Sequence, residues 1–164
     1  MIKGYIFGLL GEMQKQGLSE SFKLQLPQLI LAATDNLGLS ETSNVLNNVC
    51  WFLGEIIVSP TNRDIVKPFL NRIAEKLSSH LNQVKLNKAV ALNVAITFGR
   101  LGLVDEGEIA NMHLERVTKQ WLIAIKTLTK GIEKETSFRG FISMIPHNPG
   151  PILKFLPHVC SAFI

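Results

Sequence analysis

An all-α chain folded as a stack of antiparallel helix pairs is what this sequence predicts, and three observations carry the prediction. A pattern recurs: NNVCWFLGEI at 47–56 returns as LNVAITFGRL at 92–101, the two aligning on Gly54 and Gly99. The same frame finds IFGLLGEM around Gly11 and ETSFRGFISMI around Gly140, so the four glycines stand 43, 45 and 41 residues apart. Between the copies lie apolar positions at helical spacing and no strand signal. Hydrophobic residues make up 46% of the 164-residue chain and charged residues only 18%, a core-rich composition far from that of a disordered tail. A period in the low forties carried by helices alone is produced by α-solenoids of the HEAT or armadillo type. The expectation is therefore an α-solenoid of about four HEAT repeats, truncated at both ends and divided at 1–17 (partial), 18–59, 60–103, 104–147 and 148–164 (partial).

Residues 2–16 read as a helix that opens in mid-pattern, with no capping residue before Ile2, so the sequence reads as a piece of a longer array. Its MIKGYIFGLLG start superficially resembles a signal peptide, but agreement with the later copies makes a repeat helix the better reading. A second helix, capped by Ser19 or Ser21, carries Phe22, Leu24, Leu26, Leu29, Ile30, Ala33 and Leu37 as a wide apolar stripe and bends at Pro27. Gly38 closes it, and Ser40 with Glu41 opens the helix that holds Trp51 and runs to about Val58. Ser59, Pro60 and Thr61 form a turn, Thr61 and Asp64 supply a cap and a first-turn negative charge, and an outer helix follows over 65–81 with Pro68 early in it. The inner partner spans about 86–101 and ends at Gly102; Asp105 begins the next outer helix, through Trp121 to Ile125; a fourth inner helix covers 130–145. Pro146, Pro149, Gly150 and Pro151 make the sharpest break, after which 152–164 starts another outer helix. Because such a repeat buries its apolar face only against neighbours, open ends predict a self-associating chain.

Composition removes several function classes. The apolar runs are interrupted by Glu12, Glu55 and Arg100, so none reaches the roughly 18 residues of a bilayer span. Cys50 and Cys160 have no CxxC spacing and read as unpaired thiols in a reducing compartment. The formal charge of +4 is spread singly, and Lys67, Arg72, Lys76, Lys85, Lys88, Lys126 and Lys130 read as solvated faces before they read as a nucleic-acid surface. His80, His113, His147 and His158 sit on separate segments without ligand spacing. With no phosphate loop, Ser-His-Asp order or paired catalytic carboxylates, the sequence predicts no enzyme, no cofactor and no metal.

The candidate site follows from helix phase. Positions three before and one after each glycine lie four apart and share a face. They hold Gly8, Trp51, Ile96 and Ser137 in one row, and Glu12, Glu55, Arg100 and Phe141 in the other. Facing the hollow of the stack, Trp51 and Ile96 would form an uncovered apolar patch edged by Glu12, Glu55 and a lone Arg100, suited to an extended peptide with apolar and basic groups. The glycines, with Asn48 and Asn93 as a buried ladder between repeats, would take the packing face and leave Trp51 turned away from it. Against this stands a scaffold reading in which Trp51 is core, the commoner fate of a tryptophan at helical spacing.

NNVCWFLGEI, then NVAITFGRLG one repeat later, then an FRGF segment ending in NP, together resemble the C-terminal HEAT repeats of the importin-beta family, of the karyopherin beta-2 type, from Leu9 to the helix beyond Pro151. That resemblance implies nuclear import of cargo bearing proline-tyrosine localisation signals, bound on the concave side. Trp51 and Ile96 match the family's apolar contacts, Glu12 matches an acidic one, and a third apolar contact falls in SETSNVL, at Ser43 or Val45, where a short insertion alters the depth of the pocket. The implied partners are cargo proteins, with the small GTPase Ran and nucleoporins engaged through other parts of such a receptor; no membrane or direct nucleic-acid partner is implied. The implied location is cytoplasm and nucleus, with shuttling between them.

Overall fold

The computed structural model describes residues 2–17, 20–38, 41–105 and 107–163. Its helices are α1 (Ile2–Lys15), α2 (Glu20–Lys23), α3 (Leu26–Asp35), α4 (Ser43–Val58), α5 (Arg63–Val66), α6 (Leu70–Leu81), α7 (Lys88–Leu101), α8 (Glu108–Ile125), α9 (Ile132–Met144), α10 (Gly150–Lys154) and α11 (Leu156–Phe163). Single 3-10 turns cover Pro60–Asn62, Lys67–Phe69 and Ile145–His147, and the described residues contain no strand. α1, α4, α7 and α9 pack side by side in one row; α3, α6 and α8, followed by α10 and α11, form a second row against it. Two helical layers advancing in register are a HEAT-type α-solenoid.

The core lies between the rows. Leu26, Ile30 and Leu37 from the outer layer meet Val49, Phe52, Leu53 and Ile56 from α4, all 0–1% exposed, and Ile73, Leu77, Phe98, Ile109 and Trp121 continue it. Fully burying one such side chain contributes about 1.5–3 kcal/mol, so the apolar stripe of each helix fixes its facing direction. Trp121 anchors the far end: its indole stacks on Phe141 at 3.8 Å between ring centres and donates from Nε1 to the Ala95 carbonyl at 2.7 Å.

Local chemistry starts the inner helices where short polar side chains can accept backbone donors. Thr42 Oγ1 accepts from the Val45 amide at 3.5 Å at the head of α4, and Asn87 Oδ1 from the Ala89 amide at 2.9 Å at the head of α7. Thr42 is the N-cap of α4, whereas the sequence pointed to Ser40; Ser40 and Ser19 lie outside the described residues, as does the side chain of Ser21. Asp105 accepts from the Ile109 and Ala110 amides, at 3.0 and 3.2 Å, and Gly107 at φ +104 turns the chain into α8.

The outer layer corrects the expected proline bends. Pro27 occupies the first turn of α3, after the short α2, where its missing donor breaks no helical hydrogen bond. Pro68 lies in the 3-10 turn that separates α5 from α6, so 65–81 is not one continuous helix. The expected cap at Thr61 is absent because 60–62 is itself a 3-10 turn, with the Asn62 side chain donating back to the Ile56 carbonyl at 3.4 Å. α3 ends at Asp35 with Asn36 as its C-cap, ahead of Gly38, and the final outer segment is divided into α10 and α11 at Phe155. Among the described residues no helix is long and apolar enough to cross a membrane.

Candidate functional site

The recurring glycines are the seams of the inner row. An ideal Cβ built on Gly4 would stand 1.9 Å from Asn44 Oδ1, one on Gly8 would lie 3.5 Å from Asn48, and one on Gly11 would lie 2.9 Å from the Trp51 ring. Three positions of α1 without side chains thus receive Asn44, Asn48 and Trp51 of α4. Asn48 Nδ2 also donates to the Gly4 carbonyl at 2.9 Å. At the next seam Gly54 makes room for Thr97 and Arg100, while Asn93 Nδ2 donates to Asn47 Oδ1 at 3.1 Å and Thr97 Oγ1 to the Cys50 carbonyl at 2.8 Å. At the third, α7 and α9 meet through Gly99, Gly102 and Gly140, and Ser143 Oγ donates to the Gly102 carbonyl at 2.6 Å. Asn48 and Asn93 link neighbouring repeats, but they are half-buried, not sealed.

This geometry changes the position of Trp51. The indole is not turned away from the packing face: it lies over Gly11 at the α1–α4 seam, half-buried, with part of its surface left open on the inner row. Ile96 holds the corresponding place on α7 but is only 5% exposed, so the two do not form the uncovered apolar patch expected from register. α7 is flanked by α4 and α9, and the glycine contact draws α9 in to backbone distance; α4 is likewise flanked by α1 and α7, with Phe7 of α1 packed on Phe52 at 5.9 Å between ring centres, but opposite Trp51 itself stands only Gly11. Val45, 4% exposed, points into the core from the first turn of α4, and Ser43 just before it is exposed.

The acidic rim is also redistributed. Glu55 Oε1 accepts from Arg100 Nη1 at 2.9 Å, and Arg100 Nε donates to Thr136 Oγ1 at 3.0 Å, so one guanidinium bridges α4, α7 and α9. Their side chains are 15% and 3% exposed, which corrects the expectation of a lone, rim-placed Arg100 and a free Glu55. A guanidinium taken out of water is tolerable only when paired and hydrogen-bonded, and Glu55 and Thr136 meet that need. Glu12 is exposed and accepts from Gln16 Nε2 at 2.8 Å, leaving it as the accessible acid of the row. Ser137 and Phe141, the last members of the two rows, are buried.

The residues that register reasoning passed over are Asn44 and Asn47, which join Asn48 and Asn93 at the seams on either side of α4. Asn44 is exposed, and Asn47, Asn48 and Asn93 are half-buried along the same surface. Each offers both a donor and an acceptor, the chemistry that holds an extended main chain. The signal was present in the asparagine repeated six residues before Gly54 and Gly99, in a stretch that also holds Asn44 and Asn47.

Elsewhere the polar groups are structural. His80 Nε2 lies 3.2 Å from the Leu37 carbonyl, and His113 Nδ1 lies 3.3 Å from Ser78 Oγ and 3.8 Å from Glu75. Burial pushes both imidazoles below the usual histidine range. Cys50 is buried and Cys160 exposed, and both are free thiols. No group of three or more metal-ligating side chains occurs among the described residues.

No family model matches the chain. Individual relatives do: transportin of Dictyostelium discoideum is 38% identical over 156 residues, covering 95% of this chain and 16% of that protein. Importin subunit beta-2 of Schizosaccharomyces pombe is 34% identical over 159 residues, 95% of this chain and 15% of its own length. Transportin-1 of Homo sapiens is 29% identical over 156 residues, 95% of this chain and 17% of its own. The chain spans about one sixth of the length of these relatives. By sequence over nearly its whole length, and by its two-layered helical stack, the chain is a homologue of a HEAT-repeat stretch of transportin and importin beta-2.

Proposed function

We propose that this chain is the cargo-binding part of a nuclear import receptor, recognising proline-tyrosine type nuclear localisation signals on its inner-helix surface. The observation that carries the proposal is Trp51: homology to transportin runs through it, and its indole is held on Gly11 with part of its surface open. An extended signal lays an apolar side chain against that open surface. Its main chain meets the amides of Asn44, Asn47 and Asn93, and its basic groups approach Glu12. Ile96 and Val45, at 5% and 4% exposure, support this surface from beneath and add little contact area of their own. Glu55 is compensated by Arg100 and shapes the rim more than it attracts ligand.

On this reading the chain shuttles between cytoplasm and nucleus with its cargo and has no catalytic step or cofactor. Ran and nucleoporins are partners through the parent receptor, not clearly through these helices. A second reading, a HEAT scaffold that holds a partner protein without any transport role, is favoured by the enclosure of Ile96, which leaves Trp51 as a single apolar anchor where an aromatic and an aliphatic one were expected. Titration of a fluorescent peptide carrying a basic-apolar segment upstream of a proline-tyrosine pair separates the two. Trp51→Ala should weaken binding by about 2 kcal/mol, roughly thirtyfold, the usual cost of truncating a central aromatic anchor. Equal affinity of the wild-type chain and Trp51→Ala, or of the peptide and its scrambled version, would remove the import reading in favour of the scaffold.

A further inference from the structure

A second binding feature lies where the α6–α7 connection, the first turn of α7 and the C-terminal half of α8 come together. They enclose a groove of about 430 Å³, within the range of ligand-binding clefts. Its floor is aliphatic, with Leu81 buried and Leu86, Ala91 and Ala124 half-buried. Its walls are not covered by the chain: Val84 is 98% exposed and Ile123 39% exposed. Lys88 and Lys126 stand on the rim.

Charge identifies the occupant. The sequence holds no Asp or Glu from Lys76 to Val104 and none from Arg116 to Ile132, and the groove is built by folding these two stretches together. Lys3, Arg72, Arg100, Arg116 and Lys154 each reach a carboxylate, whereas Lys88 and Lys126 make no ion pair among the described residues. An uncovered aliphatic cleft lined by two exposed, unneutralised ammonium groups fits a ligand that combines an apolar side chain with neighbouring anionic groups. The lining has neither an aromatic ring nor an arginine on which a base could stack, which disfavours single-stranded nucleic acid.

We propose that this groove is a docking site for a short acidic segment of a partner protein. One leucine or phenylalanine side chain sits against Leu86, Ala91 and Ile123, and flanking carboxylates pair with Lys88 and Lys126. The site is separate from the Trp51 surface and does not depend on the import reading.

The test uses a fluorescein-labelled acidic heptapeptide with a leucine and a phenylalanine at its centre, followed by anisotropy. The wild-type chain should bind it saturably. The double variant Lys88→Glu with Lys126→Glu, both substitutions being exposed, should keep the wild-type circular dichroism spectrum and bind about tenfold more weakly or worse. A peptide with lysines in place of the acids should prefer that variant to the wild type. Ile123→Ser should weaken the acidic peptide, and Trp51→Ala should leave its affinity unchanged. The proposal is overturned if the lysine peptide binds the wild type as tightly as the acidic one, if the double reversal changes nothing, or if a short oligothymidine binds more tightly than the peptide.

Discussion

Gly99→Ala sets two effects of opposite sign against each other at the centre of the inner row. In a helix interior alanine is favoured over glycine by about 1 kcal/mol, so with open space around position 99 the substitution would stabilise the chain. The space is not open: the new Cβ would stand 2.4 Å from Ser137 Oγ and 2.6 Å from the Ser137 carbonyl oxygen. The hydroxyl can rotate, since it has no hydrogen-bond partner, but the carbonyl belongs to the backbone of α9. Relief requires α9 to back away from α7. The opposing contact, an ideal Cβ on Gly140 at 2.2 Å from the Gly99 oxygen, marks the whole seam as already at backbone distance. Overpacking of this kind costs about 1–3 kcal/mol, and against backbone the upper part of that range applies, giving a net destabilisation of about 1–2 kcal/mol. Gly8→Ala is the internal control: it lies inside α1 with Asn48 at an ordinary 3.5 Å, and should stabilise by up to about 1 kcal/mol. Urea unfolding followed by far-UV circular dichroism reads both signs. Hydrogen exchange should locate the loss in α7 and α9, because stability in a stacked array is a sum of nearest-neighbour terms. A Gly99→Ala midpoint raised as far as that of Gly8→Ala would refute the close-seam reasoning.

Other outcomes follow from buried polar groups. Glu55→Ala leaves the Arg100 guanidinium buried with Thr136 as its remaining partner and should cost about 3 kcal/mol or more, whereas Arg100→Met leaves Glu55 partly open to water and should cost less; a double-mutant cycle should be clearly non-additive, and simple addition would mean the pair is not coupled. Burial pushes the Cys50 thiol up to about 12, so iodoacetamide at mildly alkaline pH should label Cys160 alone, with Cys50 reacting only in denaturant, as read by peptide mass spectrometry. For His80 and His113 the folded-state values are lowered by burial from 6.5, so the unfolded chain binds more protons in the window below 6.5 and stability must fall as pH drops through it. Urea midpoints should therefore decline on acidification, and the slope should flatten when both histidines are replaced by glutamine; an unchanged slope would count against their burial as neutral rings.

Much of the architecture was legible because it is written at short range. The spacing of Gly11, Gly54, Gly99 and Gly140 marks the inner helices, and three of the four stand at contacts where a Cβ would meet the next helix within 3 Å. Gly140 repeats this against the preceding one, its Cβ meeting the Gly99 oxygen. Asn48 and Asn93 as links between repeats were legible too, since half-buried amides at repeating positions require partners at the repeat distance. Caps were less so: Ser40 and Thr42 stand two residues apart and offer the same hydroxyl acceptor, and nothing local chooses between them.

By itself the sequence determined the helical period, the division into two layers, the glycine seams and the likeness to an import-receptor stack, all of which follow from composition and spacing along one strand of chain. Only the tertiary structure decided how deep each member of the inner row sits. Trp51 and Ile96 share a phase on their helices, yet the indole faces Gly11, whose missing side chain leaves part of it open, while α9 closes on α7 to backbone distance and the isoleucine is covered. Glu55 and Arg100 likewise look like two independent rim charges in the sequence, and become one buried bridge only when helices 45 residues apart are brought to 2.9 Å. Helix phase fixes direction, but exposure depends on how closely the neighbouring helices approach, and that distance is set by side chains on other segments.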